Sequence, residues 1–100
     1  MKPKVNYIIV PGAVRYDKRL PVGARLLFGE IRGLAVDRGY CFASNGWFAG
    51  KYGVSKVTIS NWISKLKACN YISITYNPHR RIKIVYNESL KDAREKENHS

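Results

Sequence analysis

One hundred residues make a single domain's length of chain, and a composition of 45% apolar and 12% aromatic residues excludes a wholly disordered polypeptide. Lys and Arg number 18 against 7 Asp and Glu, a net charge of +11, so the surface is built to attract polyanions. No apolar run approaches the ~20 residues needed to cross a bilayer, which leaves no membrane segment and a cytoplasmic protein as the expectation.

Charge is spread unevenly. From Arg38 through Asn87 there is no carboxylate, while Arg38, Lys51, Lys56, Lys65, Lys67, Arg80, Arg81 and Lys83 lie in that stretch. Cys41 and Cys69 form no Cys-x-x-Cys pair and His79 and His99 have no partner at ligand spacing, so free thiols and no metal site are expected.

Asn6 to Val10 is short, β-rich and closed by Pro11-Gly12, which reads as an N-terminal arm or edge strand within residues 1–19. Ala24, Leu27, Ile31, Leu34 and Ala35 then recur at helical spacing behind Pro21, predicting a helix over 21–37 that stops at Arg38-Gly39. Gly23, Gly29 and Gly33 weaken it by roughly 1 kcal/mol each relative to alanine, so packing must compensate or a neighbouring helix must come close. Tyr40-Cys41-Phe42 is long enough only for a β-bridge. Ser44 or Asn45 can cap a second helix to about Tyr52, with Phe48, Ala49 and Tyr52 on its inner face. Gly53 ends that helix, and Ser55 caps a third reaching about Cys69. Ile59, Trp62, Ile63 and Leu66 form the inward stripe of this third helix.

After Asn70 the period changes to two. Ile72, Ile74 and Tyr76 share one face, Asn77-Pro78-His79-Arg80 supply turn chemistry, and Ile82, Ile84 and Tyr86 resume the alternation. Tyr76 and Tyr86 are therefore expected in the core, as is much of Trp47. Residues 88–100 read as a charged C-terminal tail, a solvated helix or frayed end.

Helix, bridging strand, helix, tight turn, helix and hairpin predict an α+β fold over 20–87: a winged helix-turn-helix of three helices with a C-terminal β-hairpin wing. The turn supports it. Ala49, Gly53 and Ile59 supply a small residue at the helix crossing, a residue free to take positive φ, and a branched apolar residue to fix the angle. Such a fold presents the N-terminal part of its last helix to the major groove of double-stranded DNA. Ser55, Lys56, Val57, Thr58, Ser60 and Asn61 are the candidate readers, although Ser55 is read first as a cap. Asn61 suits a bidentate contact with adenine, Lys56 a guanine, and Val57 or Thr58 a thymine methyl. Lys65 and Lys51 are placed for phosphates, and Arg80, Arg81 and Lys83 on the wing, with Asn45, for the flanking backbone or minor groove.

The runs Gly39 to Asn45, Phe48-Ala49, Tyr52 to Ser55, Thr58 to Ile63 with Leu66, and Asn70 to Ile72 resemble the helix-turn-helix domains of replication initiators and replisome organisers of Gram-positive phages and plasmids. The resemblance covers about Leu20 to Tyr86 and implies a winged helix, duplex DNA as ligand and no catalysis. Asn70 stands where that family often has glycine. Transcriptional regulation of a mobile element is the other role such a module fills.

Gly46 to Gly50 lacks the Lys-Ser/Thr ending of a phosphate loop, and no nucleophile set or paired carboxylates occur, so neither enzymatic activity nor a cofactor is expected. Two other readings stay open: an interaction module for an acidic partner protein, in the manner of a phage-type inhibitor, and a binder of single-stranded nucleic acid. A homodimer on a palindrome, a monomer on repeated sites, and a replication or regulatory protein as partner are equally compatible with the chain.

Overall fold

The computed structural model describes residues 10–85. Along the chain these form α1 (Gly12–Arg15), α2 (Val22–Leu34), α3 (Asn45–Tyr52), α4 (Lys56–Ala68), β1 (Ile72–Tyr76) and β2 (Arg80–Ile84). The single-turn α1 adds a fourth helix to the three anticipated. Val14 within it, and Val10 and Leu20 on either side, are buried in the same core as Leu27, Phe28, Phe48 and Ile59. The described part of the segment expected as an arm thus packs on the domain. Arg25 donates to the carbonyls of Leu20 and Arg15 at 3.0 Å each, and the Tyr71 hydroxyl donates to Asp17 at 2.7 Å. The strand proposed over 6–10 lies outside the described residues but for Val10, as do Tyr86 and the tail.

α2 is the central element. Ala24, Leu27, Phe28 and Ile31 lie buried at helical spacing, each large one contributing roughly 1.5–3 kcal/mol of transfer free energy. The helix ends at Leu34, three residues earlier than expected. Ala35 N–H is shared between the carbonyls of Ile31 and Arg32, tightening the last turn, and Gly39 at φ 80° carries the chain away. The close approach implied by a glycine-rich helix is real at one position. A Cβ on Gly23 would lie 2.2 Å from the Trp62 ring, so α2 and α4 touch through a slot that only glycine leaves open.

β1 and β2 pair antiparallel with Ile72 opposite Ile84, Ile74 opposite Ile82 and Tyr76 opposite Arg80. Cys41 bridges to Ile82 through two 2.8 Å hydrogen bonds, as the short Tyr40-Cys41-Phe42 run predicts. The expected alternation holds, but the expected burial of Tyr76 does not. It shares the inner face with Ile72 and Ile74, yet the hairpin outruns the core and leaves it 71% exposed. Tyr71 takes a core place instead, with its ring edge-on to Phe28 at 5.9 Å. Trp47 likewise stands 46% exposed rather than packed inside.

Asn70 explains itself at α4's end. Its φ is 65°, Tyr71 N–H bonds to the Leu66 carbonyl and Asn70 N–H to that of Lys67, a Schellman closure in which asparagine fills the left-handed position glycine usually takes.

Candidate nucleic-acid interface

Two caps and one glycine set the angle between α3 and α4. Ser44 Oγ accepts from Trp47 N–H, Gly53 turns the chain at φ 66°, Val54 N–H returns to the Ala49 carbonyl, and Ser55 Oγ accepts from Thr58 N–H at 3.1 Å. Ile59 is fully buried below the turn. The Ala49, Gly53 and Ile59 spacing therefore does what its chemistry requires.

On α4, Ile59, Ile63 and Leu66 are buried and Trp62 partly so. The opposite face carries Val57, Asn61 and Ser64, flanked on one edge by Lys56, Ser60 and Lys67 and on the other by Thr58 and Lys65. All are exposed except half-buried Thr58. Val57, 68% exposed, has no core to join. The expected readers separate into two groups. Ser55 and Thr58 hydroxyls lie 3.0 Å from one another within the cap, while Val57, Ser60 and Asn61 project outward and exposed Lys56 runs back along α3, its Cε 3.3 Å from where a Gly46 Cβ would stand; among the described residues none of these four makes a side-chain hydrogen bond. Ser64 and Lys67 join the face by helical period alone and were absent from the expected set.

The wing and flank residues are equally distinct. Arg80 opens β2 and folds back onto α3, donating to Asn45 Oδ1 at 2.6 Å and to the Ala43 carbonyl at 2.7 Å. Arg80 and Asn45, both expected at DNA, are thus joined to one another, and half-buried Arg80 spends its guanidinium on holding the wing to the helix pair. Arg81 and Lys83 remain exposed on the outer face of β2. Lys51, expected at a phosphate, is paired to Glu30 at 2.9 Å and lies 5.0 Å from the Trp47 ring. Glu30 also accepts from the Tyr52 hydroxyl at 3.1 Å, so this carboxylate pins α3 to α2. Burial, with Glu30 behind it, pushes the Tyr52 phenol above its ordinary range.

Of the carboxylates between residues 10 and 85, Asp17 is paired to Arg19 and Glu30 to Lys51, while Asp37 has no ion-pair partner among the described residues. The hydrogen bond from the Arg19 guanidinium, aided by Tyr71, holds the Asp17 carboxyl well below the usual carboxylate range against the opposing effect of burial. Burial pushes the Cys41 thiol up, and Cys41 and Cys69 are both free. Among the described residues no three His, Cys, Asp or Glu side chains come together as a metal site, and no helix is long and apolar enough to cross a membrane.

A family model described as a helix-turn-helix domain matches residues 18–72, more than half of the chain. No curated protein and no solved structure matches.

Proposed function

With the chain belonging to the helix-turn-helix domain family, and that family pointing to DNA as the ligand, we propose that it binds double-stranded DNA sequence-specifically with α4 in the major groove. The observation that carries this is the outer face of α4. An exposed valine, an amide and a small hydroxyl stand in line, edged by Lys56, Ser60 and Lys67 on one side and Lys65 on the other, on a helix whose opposite face is fixed in the core. A groove about 12 Å wide accepts such a helix. Asn61 is the adenine reader, Val57 a contact for a thymine methyl, and Ser60 a short donor or acceptor to either.

Lys56, Lys65 and Lys67 take phosphates and position the helix, and Arg81 and Lys83 extend the cationic surface onto the wing. Ser55 and Thr58 shape the helix start, and Arg80 with Asn45 keeps the wing in place. The likeness of the turn and stripe to replication initiators and replisome organisers supports a role in replication initiation or transcriptional control of a mobile element, with no catalysis by this module.

The test is selection of bound duplexes from random sequence followed by anisotropy titrations. Asn61→Ala should relax discrimination at one base position by ~1–3 kcal/mol while leaving random duplex little changed. Equal losses on selected and random duplex would remove Asn61 from the readers. A shallow salt dependence of duplex binding would favour an acidic protein partner instead.

A further inference from the structure

Beside the helix pair, the outer face of the wing carries a second, chemically different surface. Cys41 and Ile82 point inward as bridge partners, so Tyr40 and Phe42 emerge on the same outer face as Arg81 and Lys83. Phe42 is 57% exposed. The Arg81 guanidinium lies 4.7 Å from the Tyr40 ring centroid, and that of Arg38 lies 4.9 Å from the Phe42 ring. The two rings stand 6.3 Å apart, tilted by 58°. Together they open a cleft of about 540 Å³ between wing and α3, and among the described residues no carboxylate lines it. Among the described residues neither the Arg38 nor the Arg81 guanidinium has a hydrogen-bond or ion-pair partner, whereas that of Arg80 beside them has two.

A guanidinium held over an aromatic ring keeps N–H donors free for a phosphate. Phosphates alone would not call for the rings. Exposed Phe42 and half-buried Tyr40, with Trp47 46% exposed across an adjoining groove that Phe42 and Ala43 also line, present flat apolar surface that a base-paired strand cannot use, because its bases are stacked inside the duplex. Cations that follow a backbone, interleaved with rings that take bases, are the chemistry of unpaired nucleic acid. Tyr76 belongs with them in kind, standing exposed opposite Arg80 at the hairpin end.

We propose that this wing face binds unpaired DNA, with a base stacked on Phe42 or Tyr40 and the adjacent phosphates on Arg38 and Arg81, as a site separate from the duplex-reading face of α4. The full chain is titrated by anisotropy against a labelled twelve-nucleotide oligothymidylate, which cannot fold on itself, and against random duplex at the same salt. Wild type should bind both. Phe42→Ala should weaken the oligothymidylate about tenfold or more and leave duplex within about twofold.

Arg38→Gln, an exposed change beside the Phe42 ring at a residue with no part in duplex reading, should act in the same direction and serves if Phe42→Ala unfolds by circular dichroism. Asn61→Ala should leave the oligothymidylate unaffected. Failure of wild type to bind the oligothymidylate, or equal loss on both ligands in the Phe42 and Arg38 variants, would overturn the proposal while leaving duplex reading by α4 intact. Loss of duplex binding alone would overturn only the latter.

Discussion

The slot at Gly23 makes opposite outcomes out of one substitution. Gly33 lies near the exposed end of α2 with nothing within 4 Å of where a Cβ would stand, so Gly33→Ala should stabilise the domain by about 0.5–1 kcal/mol through helix propensity and a less flexible unfolded chain. Gly23→Ala gains no more than that, and sets a methyl 2.2–2.3 Å from two carbons of the Trp62 ring. The indole cannot be folded aside like a lysine end, because it is rigid, partly buried and edge-on to Tyr52 at 6.4 Å. Relief requires α2 and α4 to separate, at a cost of about 1–3 kcal/mol typical of overpacked cores.

The two alanines should therefore differ by about 1–3 kcal/mol, with Gly23→Ala the less stable. Urea denaturation followed by circular dichroism measures this, and for a domain of this size each kcal/mol moves Tm by about 4–8 °C. Since Trp62 fixes α4 against α2, Gly23→Ala should also weaken selected duplex more than random duplex. Equal stabilisation by both alanines would refute the slot and with it the placement of α4.

Gly53→Ala should cost about 1–2 kcal/mol in the same denaturation assay even though no atom lies within 4 Å of the new methyl, because the penalty is that of a positive φ. Lys56→Ala should lower the slope of log K against log salt by about 0.9, whereas Lys51→Ala, already paired with Glu30, should leave the slope unchanged and lower thermal stability. Asp17, with its folded-state carboxyl pKa depressed, contributes stability above the ordinary carboxylate pKa of about 3.9 and loses that contribution as pH falls toward its folded value. Tm should accordingly fall on acidification below about pH 5, and Asp17→Asn should flatten that fall while lowering Tm at neutral pH.

Local chemistry was legible where it is self-contained. Ser44 and Ser55 cap the helices their spacing promises, Gly53 takes the left-handed turn, and the Ile59, Ile63 and Leu66 stripe faces inward. What depends on distant partners was not legible. Nothing near Lys51 announces Glu30 on another helix, and nothing near Arg80 announces Asn45, so both cations look free in sequence although neither is. Tyr76 shows the complementary limit, since period two gives its face but not how far the core extends beneath it. Tyr40 and Phe42 could have been assigned outward from a buried Cys41 between them, had the bridge been extended by one residue on each side.

The clasp of Arg80 on Asn45 and the Ala43 carbonyl gives the molecule the character of a gauge. Hairpin and reading helix cannot swing independently, so the separation between their footprints is set by the protein and not by the nucleic acid. On the proposed reading, inserting one base pair between the two contacted regions forces the complex to forfeit one of them, and target choice becomes sensitive to spacing as well as to the letters themselves.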